Sequence, residues 1–123
     1  MDTLFSSDEE LLRAVWPPET YSWLWEKNGR LSSAAFKDRK GLSVDRTGGR
    51  PLDEAIDFIK QSKQGYVFDI PVVECRKAKT YLVYLPGGDN PYHSEIHQSR
   101  KEVVLSDEQA LYLSRVAIKV ADP

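Results

Sequence analysis

The sequence predicts an α+β domain, a mainly antiparallel sheet carrying about three helices. Two segments carry the Ser-x-x-Glu/Gln signature of a helix start, at Ser7–Glu10 and Ser106–Gln109, and a third begins with Pro51 and repeats its apolar residues at helical spacing. Between them lie stretches rich in β-branched and aromatic residues, bounded by Gly, Pro and Asn. The resulting order is helix, strands, helix, hairpin, strand, helix, without regular strand–helix alternation. At 123 residues, positions 1–123 make one domain of ordinary size.

The first helix is expected over residues 8–15, with Asp8, Glu9 and Glu10 in its first turn and Pro17 and Pro18 stopping it. "YSWLWEK" alternates Tyr21, Trp23 and Trp25 with Ser22 and Leu24, a period of two that suits a strand, with a short helix after Pro18 as the alternative. "RLSSAAF" and "GLSVDR" read as two short strands, or one interrupted strand, separated by the charged turn "KDRKG". A helix over 51–63 follows, its Leu52, Ala55, Ile56 and Ile59 on one face, Lys60 and Lys63 in its last turn and Gly65 beyond its end. "YVFDIPVVECRKAKTYLVYLP" reads as a hairpin turning near Arg76–Lys79, and Pro71 in its first arm points to an edge or a bulge. "YHSEIH" favours a strand, and "EVVL" is a candidate for another. The last helix is expected over 107–118, with a core stripe of Ala110, Leu113, Ala117 and Val120.

Hydrophobic residues at 41% and charged residues at 29% are those of a folded globular chain. No apolar run approaches the ~20 residues needed to span a bilayer, and the acidic start lacks the pattern of a signal peptide. A single cysteine, Cys75, excludes an intrachain disulfide and a Cys-rich zinc site. Together these features point to the cytosol and away from a membrane partner. The net charge of −2 hides an uneven distribution. Residues 1–26 hold one base against six acids, and residues 27–50 hold seven bases against two acids. Such a basic block either focuses potential onto an anion or is a solvated face that neutralises the acidic start.

Both histidines lie in "NPYHSEIHQS", with Glu95 midway between them. On a helix, His93 and His97 would be close enough to share a metal ion; on a strand, four residues span ~13 Å. The strand reading puts His93, Glu95 and His97 in a row on one face, with Ile96 in the core. They become candidates for acid–base catalysis, and no metal is expected. The alternative is two half-exposed histidines beside a glutamate. In the basic block, Arg30, Lys37, Arg46 and Arg50 are candidate phosphate ligands, with Ser32 among small residues that allow close approach. "TGGRP" before a helix would present amides to an anion. Neither a P-loop nor a dinucleotide fingerprint occurs, so no cofactor is implied. Trp16, Tyr21, Trp23 and Trp25 lie just upstream, either as core or as faces on which a base or a partner docks.

"RLSSAAFKDRKGLSVDR" together with "NPYHSEIH" resembles a pattern in small uncharacterised bacterial proteins, a resemblance that implies no activity. The chain is also loosely similar to small ADP-ribosyltransferase-like folds, where an early Arg or His, a Ser-containing strand and a late His or Glu surround a nucleotide. That resemblance implies those roles for Arg30, Ser32 and Glu95. Two functions are therefore expected. The first is binding, and acting on, a phosphate-bearing ligand such as a nucleotide or RNA, through the basic block and the His-x-Glu-x-His strand. The second is a non-catalytic interaction module, accessory, antitoxin-like or inhibitory, that docks a protein through its acidic first helix and its tryptophans.

Overall fold

A computed structural model describes residues 4–123. Its strands are β1 (Glu10–Val15), β2 (Leu42–Arg46), β3 (Tyr66–Pro71), β4 (Tyr81–Tyr84), β5 (His93–His97) and β6 (Ile118–Ala121). Its α-helices are α1 (Leu52–Lys60), α2 (Val72–Lys77) and α3 (Asp107–Val116). The six strands form one sheet in the order β4-β5-β2-β1-β3-β6, antiparallel at every pairing. The expected α+β class with three helices is the observed one.

The sheet has two unlike faces. One carries Leu11, Val15, Leu42, Val44, Phe68, Ile70, Leu82 and Ile96 into the main core, closed by Val72 and Cys75 of α2, Ala110 and Leu113 of α3, and Phe36. The other is covered by α1, where Leu12 of β1 and Val67 of β3 meet Ala55 and Ile59, with Val120 and Ala121 of β6 packed beside them. Over β2, β5 and β4 no α-helix lies on this second face, which leaves room for a site.

Residues 8–15 are not a helix. The chain turns at Ser6–Glu9, with the Glu9 amide donating to the Ser6 carbonyl at 3.0 Å, and then runs as β1 through six paired positions with β3. Leu11 and Leu12 are both fully buried, one on each face. An interior strand covered on both sides reads as a continuous apolar run, and that tertiary gain outweighs a local capping signal. "YSWLWEK" is not a strand either: Ser22–Leu24 is a 3₁₀ turn after the Pro17–Pro18 corner. "RLSSAAF" gives one bridge, Leu31 to Trp25, and then a 3₁₀ turn, Ser33–Phe36, that buries Ala35 and Phe36.

The expected hairpin is absent because its turn region forms α2, and its two arms sit far apart in the sheet. Pro71 lies beyond the β6 ladder, which stops at Asp69, so it has only β1 beside it, and it ends β3 with φ −60°, a conformation that suits entry into the helix. "EVVL" is a turn, closed by Ser99 and Gln98 amides on the Glu102 and Val103 carbonyls. The last helix begins as expected, with reciprocal bonds from Gln109 N to Ser106 Oγ at 3.1 Å and from Ser106 N to Gln109 Oε1 at 3.0 Å. It stops at Val116 because the chain straightens at Ala117 to add β6 to the sheet. No helix among the described residues is long and apolar enough to cross a membrane.

Candidate functional site

β5 is extended, and its side chains alternate as the strand reading requires. Ser94 and Ile96 are buried, at 1% and 0% exposure, while His93, Glu95 and His97 share the open face. β5 is held between β2, with Ser43 opposite Glu95 and Asp45 opposite His93, and β4, with Tyr81 opposite His97. The two imidazoles do not meet, yet both reach the same carboxylate. His97 Nε2 lies 2.7 Å from Glu95 Oε1, and His93 Nε2 lies 3.8 Å from Glu95 Oε2. A carboxylate so placed fixes the ring orientation and tautomer of its histidine partner.

Glu95 fits against the sheet only because residue 41 is glycine. A Cβ on Gly41 would fall 2.2 Å from Glu95 Oε1, and its φ of +113° is itself a glycine conformation. Asp45 beside the row is buried and accepts a hydrogen bond from Asn90 Nδ2 at 3.0 Å.

The β1–β2 ladder covers two residue pairs, Leu11–Arg46 and Leu12–Asp45. Beyond it Arg13 bridges the gap. Its Nη1 donates to the Ser43 carbonyl at 2.9 Å and its Nε to the Ala35 carbonyl at 3.0 Å. Burial pulls this guanidinium down to about 10, against the raising effect of Asp38, so it remains cationic at neutral pH. The opening is a cleft of about 340 Å³ whose lining includes Arg13, Asp45, Asn90, His93, Lys63 and Trp16. Lys63 makes no side-chain hydrogen bond or ion pair among the described residues, and neither does Arg13 Nη2. The cleft thus brings two cations and a half-exposed imidazole to one concavity, with Glu95 and His97 continuing along β5.

Arg13 escapes the sequence reading because it sits in an apolar run, although a lone base inside "LLRAV" is itself a signal. Lys63 reads there only as a helix-end charge, and Asn90 only as a loop residue.

The basic block does not converge on this site. Arg46 points to the other face, where it forms a two-point ion pair with Glu9 (2.7 and 2.8 Å) and lies over the rings of Phe5 and Tyr84. Arg50 is spent on the Thr47 and Arg46 carbonyls and stacks 3.3 Å from the centre of the Tyr92 ring. Lys37 pairs with Asp107, and Ser32 Oγ donates to the Trp23 carbonyl at 2.8 Å. The glycine turn is also occupied, because the Gly48 amide donates to Glu9 Oε2 at 2.9 Å. Arg30 lines a separate concavity of about 420 Å³ with Trp25, Tyr66 and Phe68. The cations there are already matched: Arg30 and Arg115 pair with Glu26, and Lys119 with Asp122. Arg30, Ser32 and Glu95 therefore do not surround one ligand.

Comparison with family models, curated proteins and solved structures finds no match for this chain. The functional reading rests on the geometry alone.

Among the described residues, no group of three or more His, Cys, Asp or Glu is arranged to hold a metal ion. The two imidazoles and one carboxylate on β5 suit proton transfer instead, one ring accepting and the other donating while Glu95 holds them. Of the tryptophans, Trp25 packs on Tyr66 and Phe68 at the main core, whereas Trp16 and Trp23 are 40% and 63% exposed.

Proposed function

We propose that the protein binds a phosphate-bearing ligand, a nucleotide or RNA, in the cleft between β5 and the end of α1, and that His93 and His97 carry out acid–base chemistry on it. The carrying observation is the Glu95 carboxylate set between two partly exposed imidazoles, of which His93 lines the same cleft as Arg13 and Lys63. A phosphate in that cleft gains the two cations and lies beside His93, with Glu95 linking that ring to His97 further along β5. Arg46 and Arg50, by contrast, serve the fold.

The test is a titration of the histidine ring resonances with inorganic phosphate, AMP and a short RNA. The reading expects at least one ring to shift on saturation, and His93→Ala to weaken the bound complex. Two imidazoles that ignore every anion would remove it.

The second reading, a non-catalytic docking module, keeps one supporting observation, the exposed Trp16, Tyr21 and Trp23. Its other support weakens, since the acidic first segment is a turn leading into the sheet interior.

A further inference from the structure

Trp16 and Lys63 line two clefts at once. One is the cleft that reaches His93; the other, of about 370 Å³, runs past Pro17, Thr20 and Lys60. The two adjoin at these residues near the C-terminal end of α1, a furrow in two parts. Beside Trp16, and outside the lining of both clefts, Tyr21 packs edge-on at 5.9 Å and Trp23 packs on Tyr21 at 4.9 Å, with both rings exposed.

The platform is held firmly from behind. Trp25 Nε1 donates to the Trp16 carbonyl at 2.8 Å. Gly65, at φ +106°, packs so closely that a Cβ there would sit 2.1 Å from the Val15 oxygen. A pinned backbone bearing a 40% exposed indole is a pre-organised contact surface rather than a core element. Its neighbours are cationic: Lys63 is unpaired among the described residues, and Lys60 spends one proton on the Asp122 carbonyl at 2.9 Å.

We propose that this furrow binds a single-stranded oligonucleotide, its bases stacked on Trp16, Tyr21 and Trp23, its phosphates beside Lys63, and one phosphodiester delivered to His93 and His97. The inference rests on the phosphate reading above and names its ligand class. Exposed rings in sequence offer faces to unpaired bases, whereas bases in a duplex already stack on one another. The rings and the two ammonium groups meet at Trp16, so a strand whose bases stack on the rings has its phosphates within reach of Lys63 and Lys60.

Fluorescence anisotropy of labelled RNA and DNA decamers tests it, with AMP and an RNA duplex as competitors. Stacking and phosphate contacts are common to both decamers, and tighter binding of RNA would mark a 2′-hydroxyl contact. The single strand should bind at least about tenfold more tightly than AMP, since each stacked base adds affinity. Trp16→Ala should weaken it by roughly 5- to 100-fold, and Lys63→Gln should lower the slope of affinity against salt by about one. Trp23→Ala removes a ring that is 63% exposed, so its smaller loss of affinity is read without unfolding. Unchanged affinity in both tryptophan variants overturns the proposal, as does preference for the duplex. If AMP and phosphate shift the histidines while the decamer binds no better than AMP, the furrow is not an oligonucleotide site and the phosphate reading stands. If the histidines ignore every anion and the decamers do not bind, both fall, and a protein partner is the remaining use for the rings.

Discussion

Residue 41 decides where a catalytic candidate sits. Because a Cβ there would overlap the Glu95 carboxylate, Gly41→Ala has to displace that side chain and also strain a positive φ. The expected result is a loss of about 1–3 kcal/mol in chemical denaturation, together with altered ring resonances of His93 and His97. Asp69 is the other residue with a built-in consequence. It is 4% exposed, its Oδ1 has no partner among the described residues, and burial followed by the neighbouring Glu10 pushes it up to about 8. The folded state therefore keeps a proton that the unfolded chain releases near pH 4. Stability from this group is full below that value, falls as pH rises, and is lost once pH passes about 8. Asp69→Asn should thus raise the melting temperature more at pH 9 than at pH 5. Equal shifts at both would mean that Asp69 ionises normally.

At the scale of elements, β5 separates packing from chemistry by the strand's period of two. Ile96 is fully buried between Leu42 and Leu82, so Ile96→Ala should cost roughly 2–5 kcal/mol. His93→Ala should stay within about ±0.5 kcal/mol, whereas His97→Ala removes the 2.7 Å bond to Glu95 and should cost roughly 1–3 kcal/mol. The turn before β1 is joined to β2 differently, by charge. Burial alone would raise Glu9, but the Arg46 guanidinium and the Gly48 and Ser6 amides together hold it below its ordinary value. That stabilisation is present above the usual glutamate range and is lost as pH falls through the lowered value. Arg46→Ala leaves the buried Glu9 carboxylate with two amides and no cation, and should cost about 3 kcal/mol by urea unfolding. A stable variant with weakened phosphate binding would return Arg46 to the ligand site.

For the whole molecule, the uneven covering of the sheet is the main feature. α2, α3 and the Ser33–Phe36 turn cover most of one face, while α1 covers only part of the other, so a concavity remains beside β5. A ligand that binds this concavity in the folded state alone stabilises the protein by mass action. An oligonucleotide at 100 times its dissociation constant should add about 2.7 kcal/mol, read as a rise in melting temperature. The same titration on His93→Ala plus Lys63→Gln should give little or none of that rise. An undiminished shift in the double variant would place the ligand elsewhere, with the Arg30 concavity on the opposite face as the first candidate.

The sequence by itself determined the class of fold, the helices α1 and α3 with their starts, and the strand that carries both histidines. These follow from periodicity and capping, which act over three or four neighbouring residues: Ser106 with Gln109, Leu52 with Ala55 and Ile59, Ser94 with Ile96. Only the tertiary structure decided that 10–15 is a strand, that α2 replaces a hairpin turn, and that 118–121 completes the sheet. Each of those outcomes depends on which distant segment covers the chain, and burial on both faces overrides a local preference. The site divides along the same line. His93, Glu95 and His97 were legible because one strand carries them. Arg13 and Lys63 were not, because β1 and the end of α1 reach β5 only once the sheet has formed. Arg46 and Arg50 look free in the sequence, and folding gives them carboxylate, carbonyl and ring partners. Where a charge ends up depends on its neighbours in space, and a linear charge pattern does not contain them.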